Sequence, residues 1–121
     1  PYRQLAGLIE VELKNYTKDK TNWRKMLSGN VTEVPDLLEL KDEYADYLPE
    51  EYQDFISDDD DVTAIKYPVV RYPEKIKSVN LDKTELFEGV LTGIKGQYLL
   101  FEDGTVFNVR TFEGYVVKIS L

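Results

Sequence analysis

No cysteine and no histidine occur among the 121 residues of this chain. The first absence excludes a disulfide, a thiolate zinc site and a cysteine nucleophile. The second removes the commonest general base and the commonest metal ligand. Any chemistry must therefore use Asp, Glu, Tyr, Lys, Arg, Ser or Thr. Long apolar runs are missing as well. None approaches the roughly 20 residues that cross a bilayer as a helix, and the start does not resemble a signal peptide. No phosphate loop, nucleophile elbow or dinucleotide fingerprint is present. No internal repeat is evident. What is present suffices for a core: 42% of the residues are hydrophobic, which argues against global disorder. The length fits one domain, or a helical part packed on a small sheet. The chain starts at Pro1 and a helical pattern begins at once, so we expect a piece of a longer protein, with a cytoplasmic location.

The formal charge of -8 is unevenly spread. Residues 1–32 hold six bases and three acids, residues 33–61 hold thirteen acids and only Lys41, and residues 62–121 hold eight bases and seven acids. A polyanion would be repelled by the middle segment and tolerated by the ends.

Leu5, Leu8, Ile9 and Leu13 recur at three- and four-residue spacing and predict a helix over about residues 3–17. Gly7 weakens such a helix by about 1 kcal/mol relative to Ala, which suggests close packing there. Thr21 or Asn22 can cap a short helix through Trp23, Met26 and Leu27, with Ser28-Gly29-Asn30 as its stop. In "VTEVPDLLELKDEYADYLPEEYQDFI", Pro35 suits a first helical turn, with Thr32 or Glu33 just before it. Leu37, Leu38, Tyr44, Ala45 and Leu48 give an apolar stripe, and Pro49 ends that helix or opens a new turn. "SDDDD", 57–61, reads as a solvated acidic linker. It lacks the glycine and glutamate that an EF-hand loop needs.

Beyond the linker the period becomes two. "AIKYPVVRYPEKI" is extended, with Pro68 and Pro73 confining it to an edge or a bend. "KSVNL", "LFEGVLTGI", "GQYLLFE", "TVFNVR" and "GYVVKISL" read as short strands. Asp103-Gly104 signals a type I′ hairpin, and Lys95-Gly96 a weaker turn. The expectation is an α+β chain: a helical region over 1–57, an acidic linker over 58–61, and a small antiparallel β-meander closing toward a barrel over 62–121.

Three stretches carry a likeness to a known family. "GLIEVELKNYTKDKTNWRKML" (7–27), "YPVVRYPEKIKSVNLDKTELFEG" (67–89) and "GIKGQYLLFEDGTVFNVRTFEGY" (93–115) resemble the C-terminal half of an uncharacterised bacterial family, a domain of unknown function. The likeness leaves out 33–61. It implies a cysteine-rich, zinc-binding-like segment upstream, followed by a GIY-YIG-like core within which this chain would start. GIY-YIG nucleases place a metal-binding glutamate on a late helix and an asparagine after it, and Glu10 and Asn22 have a similar order and spacing. By that resemblance Glu10 would anchor Mg²⁺ or Mn²⁺ in the intact protein, and the activating tyrosine and phosphate-binding arginine would lie upstream. The alternative leaves Glu10 a surface acid paired with Lys14 at i+4.

Other candidates also carry two readings. Lys14, Lys18, Lys20, Arg24 and Lys25 form either a basic rim for phosphates or a solvated face. Trp23 and Arg24 either stack on and clamp a nucleic-acid strand, or Trp23 packs into a core. Lys95, Gln97, Asn108 and Arg110 form either a polar patch for a partner or oligonucleotide, or local hydrogen bonds. Three functions follow: a non-catalytic accessory region that binds no cofactor itself, part of a divalent-metal nuclease, or a protein-binding module that uses its acidic segment 33–61. No membrane partner is expected.

Overall fold

The computed structural model of the protein describes residues 2–18, 20–29 and 34–120. The fold is α+β, with helices preceding strands. The helices are α1 (Tyr2–Leu13), α2 (Trp23–Leu27), α3 (Leu37–Asp46) and α4 (Glu50–Gln53). The strands are β1 (Lys77–Ser78), β2 (Leu91–Lys95), β3 (Tyr98–Phe101) and β4 (Thr105–Asn108), followed by a 3-10 helix over Val109–Phe112. The chain divides into two compact units, one of residues 1–21 and 32–64, the other of residues 22–31 and 65–121. Thus α2, expected among the helices, belongs to the unit that holds the sheet.

In the first unit α1 half-buries Leu5, Ile9 and Leu13, which share one face at four-residue spacing. Leu8, expected on that face, is instead 48% exposed. The helix also stops short of residue 17. Asn15 Nδ2 donates to the Glu12 carbonyl at 3.2 Å, and the Tyr16 amide reaches back only to Leu13. A side chain that satisfies a backbone carbonyl competes with the helix in this way. Tyr16 then stacks on Tyr47 with centroids 4.2 Å apart, and Tyr44 meets Tyr47 edge-on. Gly7 has no neighbour where a Cβ would lie, so the close packing expected there is not formed within the described residues.

Asp36 caps α3, its Oδ1 accepting from the Leu38 and Glu39 amides at 2.8 and 3.3 Å. A carboxylate both fills the orphan donors and faces the positive helix end. Pro35 therefore precedes the cap rather than sitting inside the first turn. Thr32, Glu33 and Asn30 lie outside the described residues. Pro49 opens α4, as its fixed φ favours, and Gln53 Nε2 donates to the Ala45 carbonyl in the last turn of α3 and to the Leu48 carbonyl just beyond it. The acidic run is tied back by Lys41. Its Nζ donates to the Asp59 carbonyl at 2.9 Å and to Asp60 Oδ1 at 2.8 Å, and the Asp60 bond raises the lysine pKa.

The second unit is built on Leu27, Leu100 and Val106, all buried. Trp23, Met26, Val69, Tyr72, Ile76 and Tyr98 pack around them. Leu100 and Val106 are cross-strand partners, and α2 lays Leu27 onto that pair. The sheet order is β1-β4-β3-β2. β2, β3 and β4 form the expected antiparallel meander, but β1 pairs parallel to β4, through Lys77↔Thr105 and Ser78↔Val106. The sheet is therefore mixed, and it is open, because β1 and β2 stand at opposite edges. The same placement explains why the described residues of "GYVVKISL", 114–120, form no strand. The edge of β4 that the next meander strand would use is occupied by residues 77–79. Asn108 also diverts the chain into the 3-10 helix, its Oδ1 accepting from the Arg110 amide. Of "AIKYPVVRYPEKI", only Val69 makes a bridge, to Gly93, against the outer edge of β2.

The turns differ from expectation in one case. Only Gly96 has positive φ in the Gly96-Gln97 turn, as type II′ requires. The β3–β4 loop has three residues, Glu102-Asp103-Gly104, rather than a two-residue type I′ turn. The Gly104 amide donates to Phe101 O, and Gly104 alone has positive φ, at 84°. That is a type I turn closed by a left-handed glycine. Asp103 holds it: its carboxylate accepts from the Thr105 amide at 2.9 Å and from Thr105 Oγ1 at 2.7 Å.

Two outcomes are expected. Leu27→Ala should destabilise the protein by about 2–5 kcal/mol, read by urea unfolding. The Thr105 bonds hold the Asp103 carboxyl below its ordinary value of 3.8. A lowered folded-state pKa adds stability in full above the unfolded value and loses it as pH falls through the folded one. Wild type should therefore exceed Asp103→Asn in stability at neutral pH, with the gap closing on acidification below 3.8. Urea midpoints at stepped pH check this.

Candidate functional site

Helical spacing places Lys14 one turn beyond Glu10, and the chain that leaves α1 brings Lys18 to the same groove. This groove is open, about 490 Å³, floored by Ala6, Ile9 and Leu13 and flanked by Tyr44. Glu10 Oε1 lies 3.6 Å from Lys14 Nζ, and the Glu10 side chain is 70% exposed. The pair expected at i+4 thus forms, and its acid is the candidate metal ligand itself.

As a metal anchor Glu10 offers one carboxylate. Among the described residues, no group of three or more Asp and Glu stands close enough to hold an ion. Mg²⁺ binds through one or two carboxylates and keeps water and phosphate oxygens as its other ligands. Glu10 offers one such carboxylate, and in this structure it is paired with Lys14.

Asn22 lies in the second unit. It is the N-cap of α2, its Oδ1 accepting from the Lys25 amide at 3.1 Å. The same unit gathers the remaining candidates. The Arg24 guanidinium lies 4.5 Å from the Trp23 ring centroid and donates through Nη1 to the Ile76 carbonyl at 3.0 Å. Trp23 stacks on Tyr98 at 5.9 Å, 9° from parallel. Lys95 Nζ sits 5.4 Å from the Tyr67 ring and 5.1 Å from the Tyr72 ring, and donates to the Met26 carbonyl at 3.2 Å. Arg24 and Lys95, read from sequence as members of separate patches, thus share one face built by α2, β2, β3 and the 67–76 segment. Gln97 and Asn108 bond to each other at 3.1 Å, and Arg110 is held there through its backbone amide.

Tyr67, Tyr72 and Tyr98 join this face without being marked as site residues by the sequence reading. The signal for the first two was the repeated Tyr-Pro pair in "KYPVVRYPE", which puts two rings five residues apart on an extended edge. Tyr98 carries no such local mark. In the sequence Lys41 is only the lone base among thirteen acids, and its anchoring of Asp59 and Asp60 emerges only in three dimensions.

A family described as "Protein of unknown function (DUF2797)" matches residues 1–117. The match runs through the acidic stretch 33–61 that the sequence likeness left out. No curated protein and no solved structure matches the chain.

These placements separate two substitutions. Glu10→Gln, which removes an exposed ion pair, should change stability by less than about 0.5 kcal/mol. Asn22→Ala, which removes a helix cap, should cost about 1 kcal/mol. Urea unfolding of both variants reads the difference.

Proposed function

We propose that this chain, which belongs to the family of proteins of unknown function matched over residues 1–117, is a non-catalytic accessory region of a larger GIY-YIG-like protein, whose core packs on α1. One observation carries this. α1 is apolar on two sides: Leu5, Ile9 and Leu13 are half-buried, while Leu8 and Val11 stand 48% and 58% exposed beside Gly7. No residue of α1 is buried. A surface helix buries one apolar stripe, and Leu8 and Val11 make a second, shorter one, set apart from the first by Glu12. Open space at Gly7 also admits a close-packed neighbour, which offsets the helical cost of that glycine.

A second reading is supported by the groove. Its exposed Glu10 carboxylate would exchange the Lys14 ammonium for a divalent ion that polarises a phosphate. Under it the intact protein is a metal-dependent nuclease with Glu10 as ligand, and the upstream core supplies the remaining groups.

The two are separable. Leu8→Lys with Val11→Lys should leave the melting temperature of the 121-residue chain within about 2 °C, as exposed substitutions do. The same pair should abolish capture of a separately expressed upstream core. Retained capture would overturn the packing. Incubation with Mg²⁺ or Mn²⁺ and labelled DNA or RNA should give no cleavage by the chain alone. Metal-dependent cleavage lost in Glu10→Ala would overturn the non-catalytic reading.

A further inference from the structure

We propose that the α2 face of the second unit binds single-stranded nucleic acid, with Trp23, Tyr98 and Tyr67 meeting bases and Arg24 meeting the backbone. The proposal stands on that unit alone and is independent of what covers α1.

The face combines rings with cations from three separate stretches of sequence. Trp23 and Tyr98 form a near-parallel pair, Arg24 lies against the indole, and Lys95 is held between Tyr67 and Tyr72. Trp23, Tyr72 and Tyr98 pack against the core but are not enclosed as Leu27 and Leu100 are. They are only half-buried, and Tyr67 is 39% exposed. Arg24 is exposed and spends a single donor, Nη1, on the Ile76 carbonyl. The remaining N–H groups of its planar fork suit phosphate oxygens. Lys95 is committed to Met26 O and its two rings, so it supplies positive potential and holds the tyrosines in place.

Charge distribution permits such a ligand despite the overall -8. The second unit holds ten bases against seven acids, the first five against sixteen. Screening over about 8 Å at physiological salt makes the local surplus the relevant one. Flat rings read unpaired bases, because a base in a duplex has no free face. That chemistry selects single strands over duplex, and it accepts DNA or RNA.

Trp23 is the sole tryptophan, so its fluorescence reports this face directly. The 121-residue chain is titrated with single-stranded DNA and RNA pyrimidine oligonucleotides of about twelve residues, with the matching duplexes, and with heparin as a polyanion without bases. Saturable quenching by at least one single strand is expected, weaker with duplex and heparin, with affinity falling as salt rises. Arg24→Gln should lower affinity several-fold and reduce the salt slope by about 0.7. Tyr67→Ser should weaken binding by about fivefold or more. Both side chains are exposed, and circular dichroism verifies that the variants fold. Three results overturn the proposal: no saturable quenching by either single strand at low salt, equal binding of heparin, or full affinity in both folded variants.

Discussion

The seating of Leu27 on the Leu100–Val106 pair is the contact on which the second unit depends. These three residues are its buried hydrophobic centre, and two of them come from the β3–β4 hairpin. A helix of five residues has no stability of its own. It persists because Asn22 caps it, because Arg24 and Lys95 tie it to the Ile76 carbonyl and to β2, and because Leu27 fills the sheet's inner face. Remove that apolar anchor and the polar ties lose the geometry that makes them possible. The aromatic and cationic face is thus a consequence of core packing.

The first unit rests on different physics. None of the residues in α1, α3 and α4 is buried. Its order comes from the Tyr16–Tyr47 stack, the Asp36 cap, the Gln53 bonds to the Ala45 and Leu48 carbonyls and the Lys41 clamp. Exposed bonds of this kind contribute little each. A helical unit held mainly by them, with apolar side chains still facing water, is one whose free energy a covering partner would lower. Sixteen acids against five bases there also suit it poorly to polyanions, whereas the sheet unit carries a modest positive surplus.

Local chemistry was legible in the sequence, and long-range pairing was not. The Asn22 cap, the helix through Leu27, the Pro49 break and the three strands of the meander follow from capping rules and period-two alternation. The Glu10–Lys14 pair follows from i+4 spacing. By contrast, nothing local tells that residues 77–79 pair parallel with β4 and so deny "GYVVKISL" an edge. Nor does spacing reveal that Lys95 reaches the carbonyl of Met26, since 69 residues separate them. On α1 one position of four departs from the expected face, because Leu5, Leu8, Ile9 and Leu13 fit a helical stripe equally well; burial chooses Leu5, Ile9 and Leu13. Asp103-Gly104 signalled a hairpin correctly, but the Thr105 bonds favour a three-residue loop over the tighter one.

Native-state amide hydrogen exchange tests the central claim, that α2 is part of the sheet's core rather than of the helical region. The account predicts that the amides of Met26 and Leu27 exchange with the same opening free energy as Leu100 and Val106, and more slowly than any amide of α1. Rapid exchange of Met26 and Leu27 while β3 and β4 stay protected would contradict it.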